Sequence, residues 1–291
     1  MNKCFITKLN GSSNNPDLLR LGEMRMKILK VSNPTEHTQG FSLSVNKTVT
    51  LKVVSDGYFT GKTLTENKGK SITLNAGLNN IWVNGNSDVE IAILDKYSLT
   101  TIDKSYQGEV VNSVYGKNIK FNISDLKYST ALTSLNLNGT QISGDIADLK
   151  NLTALVEINM YNTQVPLTGD IGQLSTLSNC TIMILKYSKL AGDLATLPSN
   201  CRFISFQNDR GSVFTWSTRP STAKIIAIEG SARLTNIDKM LQDQAQCQVG
   251  FAPSDAIWNK TISVVGNRTS ASDDAVATLQ QKGYTISIAK A

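Results

Sequence analysis

Leu132-Thr-Ser-Leu-Asn-Leu-Asn-Gly-Thr-Gln-Ile-Ser-Gly-Asp-Ile146 is the stretch that decides how this chain is built, because its pattern returns downstream in the same order. Leu132, Leu135, Leu137, Thr140, Ile142 and Gly144-Asp145-Ile146 are answered by Leu155, Ile158, Met160, Thr163, Val165 and, after a two-residue insertion, Gly169-Asp170-Ile171. A third copy reads Cys180, Met183, Leu185, Ser188, Leu190 and Gly192-Asp193-Leu194. Weaker copies carry Cys201, Ile204, Phe206 and Asp209, then Ala223, Ile226, Ile228 and Ser231. From Leu137 to Met160, Leu185, Phe206 and Ile228 the steps are 23, 25, 21 and 22 residues. A fixed period in this range predicts a solenoid, since one coil cannot bury its own apolar row and must stack on the next.

The spacing assigns a role to each position. The Leu-x-Leu pair is a short strand whose alternate side chains point inward, and the Thr, Ser or Asp three residues later turns the chain. Ile146-x-x-Leu149-x-x-Leu152 and Ile171-x-x-Leu174-x-x-Leu177 have helix-like spacing, which predicts short helical or 3-10 turns on the convex side. The glycine opening each Gly-Asp-Ile/Leu step allows an approach that a side chain would block.

On these residues, positions 119–291 resemble a leucine-rich-repeat domain. Leu167-Thr168-Gly169-Asp170-Ile171 is similar to the variant whose repeats end in Gly-x-Ile-Pro. The chain departs from that family at the turn, where the usual asparagine is replaced by Thr140, Thr163, Ser188, Asp209 and Ser231. The resemblance concerns fold and names no chemistry.

Residues 1–108 have another texture. Phe41–Val45, Thr48–Val54, Ser71–Leu74, Asn80–Val83 and Val89–Leu94 alternate between turns such as Ser55-Asp56-Gly57, Asn75-Ala76-Gly77 and Asn84-Gly85-Asn86. That predicts an all-β, sandwich-like domain, with Cys4–Leu9 and Leu18–Leu29 as further strands or an arm. The expected class is therefore mixed α/β and β: an anchoring or oligomerising β domain over 1–108, then a short leucine-rich-repeat solenoid over 109–291. Polar Tyr97–Tyr115 reads as the linker and first cap, with Phe121 and Ile123 facing inward. Thr261–Val265, a helix begun by Ser272-Asp273-Asp274 and ended at Gly283, and Tyr284–Ile288 read as a strand-helix-strand C-terminal cap.

Composition removes several functions. The net charge of +6 is spread evenly, with 13 Lys/Arg against 10 Asp/Glu in residues 1–110, so no nucleic-acid footprint is expected. No run approaches a membrane span, and Met1–Lys8 does not read as a signal peptide. His37 is the one histidine and lies in a polar stretch, which argues against triads and histidine metal sites. Cys4, Cys180, Cys201 and Cys247 lack the spacing of a disulfide framework or a zinc site. Cys180 and Cys201 occupy the positions of Leu132 and Leu155, which suits buried small hydrophobes. No cofactor, no metal and no catalytic residue is expected. Asp145, Asp170 and Asp193 should form a column on one turn edge, either as turn acceptors for backbone N–H groups or as a cation site.

The candidate binding surface is the concave strand face. Alternation places Asn136 and Asn138, then Asn159 and Tyr161, then Lys186 and Tyr187, then Phe203 and Gln207, then Glu229 on it. Such a mixture of amides, rings and charge suits a glycan or a peptide loop, with Tyr161, Tyr187 and Phe203 supplying exposed rings.

The opening block Cys4–Gly11 with Pro16-Asp17-Leu18-Leu19, and the closing Asn259–Val264 with Ala275–Tyr284, look like proteins encoded by tailed phages and prophages of gut Bacteroidales. That resemblance implies a virion surface protein, such as a head or tail fibre or a capsid decoration. Its implied partners are other virion proteins at the N-terminal domain and a host-surface glycan or protein at the repeats, with a homo-oligomer, a trimer by preference, multiplying weak contacts. The alternatives are a bacterial surface or secreted adhesin and a purely structural virion component.

Overall fold

The computed structural model describes residues 24–28, 40–53, 58–60, 65–66, 71–84, 89–93, 99–103, 119–127, 129–137, 141–160, 167–206, 211–230, 233–248 and 260–290. The repeat forms a curled parallel sheet of the leucine-rich-repeat type. Its first ladder runs through Leu99–Asp103, Ser134–Asn136, Glu157–Asn159, Ile182–Ile184, Phe203–Phe206, Ala227–Gly230, Thr261–Val265 and Thr285–Ala289, each parallel to the next. Leu135 faces Ile158, which faces Met183 and Ile204 in turn, as the repeat predicts; Ile204 then faces Ile228 and not the expected Ile226, a two-residue shift at the last repeat. Leu135, Ile158, Met183, Ile204, Ile226 and Ile228 are fully buried, as are Leu132, Leu155, Cys180, Cys201 and Ala223. Each buried Leu or Ile contributes roughly 1.5–3 kcal/mol, so stacking is driven by rows that only a neighbouring coil can cover.

A second parallel ladder, not anticipated from the repeat, follows each turn: Ile119–Asn122, Gln141–Ser143, then Thr168–Asp170, Lys189–Asp193, Val213–Thr215 and Arg233–Leu234. The Asp145–Thr168 bridge joins its two parts. The third side is made of 3-10 turns at Ile146–Leu149, Ile171–Thr176 and Leu194–Thr196, as the helix-like spacing predicts.

The aspartate column caps these turns. Asp145, Asp170 and Asp193 accept from the backbone N–H of Ala147, Gly172 and Ala195 at 2.9, 2.8 and 2.9 Å, and Asn122 does the same for Ser124 one coil earlier at 2.9 Å. Asp193 also takes the Ser217 N–H of the next coil at 3.2 Å. Each carboxylate stands against the glycine one coil on. A Cβ at Gly169 would strike the Asp145 carboxylate, and one at Gly192 would strike that of Asp170. Both glycines also hold a positive φ, 115° and 114°. Of the two readings open in the sequence, the column serves as turn acceptors.

The last coils are reinforced differently. An α-helix, Ile237–Gln246, replaces the 3-10 turn; its buried Ile237, Met240, Leu241 and Gln244 recur at helical spacing, a signal the leucine pattern overshadowed. The Gln244 side chain accepts from the Ile226 N–H and donates to the Ile226 carbonyl, both at 3.0 Å. Asp243 takes the Trp216 indole N–H and the Arg219 backbone N–H, each at 3.0 Å, and pairs with Lys239. Burial works to raise its pKa, but the hydrogen bonds from Lys239, Trp216 and Arg219 outweigh this and hold it below the ordinary carboxylate range. Buried Arg219 donates to the carbonyls of Leu197 and Pro198 at 3.0 Å and of Lys224 at 3.2 Å, with longer contacts to Ala195 and Cys201. The closing unit matches expectation: Thr261–Val265, an α-helix over Asp273–Gln281, and Thr285–Ala289.

The strands expected near the N-terminus occur at Gly40–Val45, Val49–Val53, Ser71–Leu74, Gly77–Asn84 and Val89–Ile93, with Met24–Ile28 within the expected arm. The Leu99–Asp103 strand lies inside the stretch expected to be the linker and first cap. Its Thr100, Thr101 and Ile102 favour a strand, and it pairs in parallel with Ser134–Asn136 on one side and antiparallel with Gly40–Val45 on the other. Met24–Ile28 likewise pairs antiparallel with Ile119–Asn122. Both ladders therefore cross position 108 without a break in hydrogen bonding. Cys4, Cys4–Leu9, His37, Asn138, Thr140, Tyr161, Thr163, Val165, Gln207, Asp209 and Ser231 lie outside the described residues.

Gly192→Ala meets both a positive φ and a carboxylate, costs of about 1–2 kcal/mol and about 1–3 kcal/mol. Gly77→Ala meets only a positive φ of 99°, with nothing within 4 Å. In urea titrations Gly192→Ala should lose roughly 3 kcal/mol and Gly77→Ala about 1 kcal/mol; equal losses would remove the carboxylate contact from the explanation.

Candidate functional site

The outward side chains of the first ladder fall into two in-register rows. One is Ser134, Glu157, Ile182, Phe203 and Ala227; the other is Asn136, Asn159, Ile184, Ser205 and Glu229. Period-two alternation dictates this, since each lies one residue from a buried inward position. Ser134 and Glu157 were not among the expected site residues, although the alternation that selected Asn136 and Asn159 reaches them two residues earlier.

The face is divided. Ser134, Asn136, Glu157 and Asn159 are half-buried and within reach of solvent. Beyond them Ile182, Ile184, Phe203, Ser205 and Ala227 are buried, Phe203 to 2% exposure. The expectation that Phe203 offers an exposed ring is therefore corrected. It points outward from the strand, but its row neighbours are Ile182 and Ala227, and an apolar cluster of this kind excludes water. Alternation tells which side of a sheet a residue occupies and not whether that side is covered.

At the margin of the covered part, Lys186, Ser205 and Glu229 form a polar link across three coils. Glu229 accepts from the Ser205 hydroxyl at 3.1 Å, and the Lys186 ammonium stands 3.9 Å from the same oxygen. Tyr187 follows Lys186 with φ at 63° and is half-buried. A bulky residue in left-handed conformation is uncommon and needs support from its surroundings. Asn136, Asn159 and Glu229 thus lie in one row and Lys186 reaches its end, while Tyr187 stands in the turn beyond the strand; Asn138, Tyr161 and Gln207 lie outside the described residues.

The nucleophile candidates are quenched. Cys180, Cys201 and Cys247 are buried free thiols. Burial raises the pKa of all three; that of Cys201 is pushed up to about 11 despite the Arg219 guanidinium, and the neighbouring Cys201 adds to the rise at Cys180. Among the described residues, no three His, Cys, Asp or Glu side chains are grouped to hold a metal, and no helix is long and apolar enough to cross a membrane. A cleft of about 390 Å³ opens elsewhere, where the two ladders converge on Thr261–Val265, lined by Val213, Arg233, Leu234, Asn236, Val265 and Asn267.

No protein-family model matches the sequence, and no curated protein aligns with it. Solved structures that do align include the BIR3–SERK2 complex from Arabidopsis thaliana, at 27% identity over 35% of this chain and 55% of that one, with a TM-score of 0.27. The BIR2 ectodomain from Arabidopsis thaliana aligns at 21% identity over 40% of this chain and 65% of that one, with a TM-score of 0.29. The LRR ectodomain of the receptor kinase SOBIR1 from Arabidopsis thaliana aligns at 14% identity over 75% and 91%, with a TM-score of 0.31. The chain spans less than two thirds of the first two. At these scores the description of the solenoid rests on its own ladders.

Glu229→Ala strands the buried Ser205 hydroxyl and should cost about 1–2 kcal/mol, whereas Glu229→Gln keeps an acceptor and should cost less than about 1 kcal/mol; thermal melts compare the two. Iodoacetamide at pH 8 followed by mass spectrometry should leave Cys180, Cys201 and Cys247 unmodified until denaturant is added. Rapid native labelling of any of them would contradict their burial.

Proposed function

We propose that this chain is a non-enzymatic binding protein whose repeat face takes a polar ligand, a host-surface glycan or protein, on the surface of a phage particle. The observation that carries the reading is the pair of half-buried amides, Asn136 and Asn159, held in register on adjacent parallel strands and flanked by Ser134 and Glu157. Neighbouring strands stand about 4.8 Å apart, a spacing that suits successive hydroxyls of a sugar or backbone groups of an extended peptide. Strands hold these groups more rigidly than loops would, which lowers the ordering cost of binding. The linked pair Lys186 and Glu229 would bound the far side of the same surface.

The virion setting rests on the resemblance at the two ends of the chain. There the N-terminal strands anchor the protein to other virion components and gather copies, so that weak individual contacts add through effective concentration. Because both ladders run from those strands into the repeats, the anchor and the display face would be held in fixed relation.

Fluorescently labelled protein is titrated onto gut Bacteroidales cells and adsorption read by flow cytometry. Asn136→Ala combined with Asn159→Ala removes two hydrogen bonds of about 1 kcal/mol each and should weaken adsorption roughly thirtyfold. Tyr187→Ala should weaken it further. If the wild type adsorbs and the variants match it while melting normally, the repeat face is not the contact; if the wild type does not adsorb, a structural role within the virion replaces the proposal.

A further inference from the structure

The last strand of the first ladder, Thr285–Ala289, is paired along its whole length on one side, from Thr285 opposite Thr261 to Ala289 opposite Val265. The Thr285 N–H donates to the Lys260 carbonyl and the Gly266 N–H to the Ala289 carbonyl, both at 2.8 Å. Thr285, Ser287 and Ala289 therefore turn their backbone groups inward, and Ile286 and Ile288 turn theirs to the outer edge, since the groups alternate along a strand. Among the described residues no strand pairs with that edge.

Side chains mark the same strand as unfinished. Thr285, Ser287 and Ala289 are exposed, and Ile286 and Ile288 are half-buried against the core. Their counterparts in the preceding strand, Ile262 and Val264, are 0% and 1% exposed because a further coil covers them. No charged residue stands between Thr285 and Ala289, and charge is the usual protection of a free edge.

We propose that this edge pairs antiparallel with the same strand of a second copy of this chain, about a two-fold axis at Ser287. The sequence Thr-Ile-Ser-Ile-Ala is close to a palindrome, which is what an isologous contact requires. With Ser287 opposite its own mate, Ile286 of one copy faces Ile288 of the other, and Thr285 faces Ala289. The two Ile286/Ile288 pairs are then the closely hydrogen-bonded ones, exchanging four main-chain bonds from the groups that now face outward. The same pairs bring four isoleucine side chains together on the core side. A parallel mate would instead repeat head to tail and leave another open edge. Two strands of five residues bury less than the roughly 1,200 Å² of a stable complex, so the pairing is weak and concentration-dependent.

The test uses the full chain carrying Cys4→Ser, because the three repeat-domain thiols are buried. Ser287→Cys places two sulfurs on a non-hydrogen-bonded pair with Cα atoms about 4.5 Å apart, within disulfide reach. Thr285→Cys places its mate roughly 14 Å away. With oxidised glutathione at high protein concentration, Ser287→Cys should give a disulfide-linked dimer on non-reducing gels and Thr285→Cys should stay monomeric. Ser287→Asp sets like charges opposite each other and should raise the dissociation constant measured by sedimentation at least tenfold. A monomeric Ser287→Cys protein, or equal cross-linking at both positions, overturns the proposal.

Discussion

The contact between a carboxylate of one coil and a glycine of the next is the constraint on which the solenoid depends. An aspartate that caps a 3-10 turn must sit close to the backbone that follows it, and the following coil must pass beneath without a side chain. Asp145 above Gly169 and Asp170 above Gly192 satisfy both conditions. The distance between coils on this edge is therefore fixed by polar geometry, while on the opposite side it is set by rows of Leu, Ile and Met. Agreement between the two is what lets one register run from Ser134–Asn136 through to Phe203–Phe206.

Much of this was legible in the sequence because it is periodic. Leu135, Ile158, Met183 and Ile204 were placed by spacing alone, and so were the 3-10 turns and the strand-helix-strand close; in the fifth copy the spacing put Ile226 in that row, where the strand places Ile228. Burial of Cys180 and Cys201 followed from the positions they share with Leu132 and Leu155. The second ladder was not read, because Gln141–Ser143 and Val213–Thr215 are three-residue strands with no apolar alternation long enough to show. The helix Ile237–Gln246 was not read either, because the weaker fifth copy has no Gly-Asp step to mark the turn after it.

The candidate site was legible only in direction. Alternation put Asn136, Asn159, Lys186 and Glu229 on one face, but it gave Phe203 the same standing as Tyr187. Whether an outward residue meets water depends on what lies over the sheet, which is long-range information. The continuity of both ladders across position 108 was unreadable for a similar reason: strand pairing between distant segments leaves no local mark, and a polar stretch such as Tyr97–Tyr115 looks like a linker whether or not it contains a strand.

Arg219 carries a consequence for cooperativity. Its guanidinium collects carbonyls from Ala195 through Lys224, and Asp243 binds its backbone together with Trp216 and Lys239. A repeat array held only by neighbour contacts would fray one coil at a time from either end. A guanidinium held by carbonyls of two successive turns ties them into a single opening unit, because releasing one would leave a buried charge short of acceptors, and Asp243 fastens the backbone of the same residue to the helix after them. Amide exchange of the described residues between 195 and 247 should then follow one sub-global opening, dividing the array into a graded half and an all-or-none half.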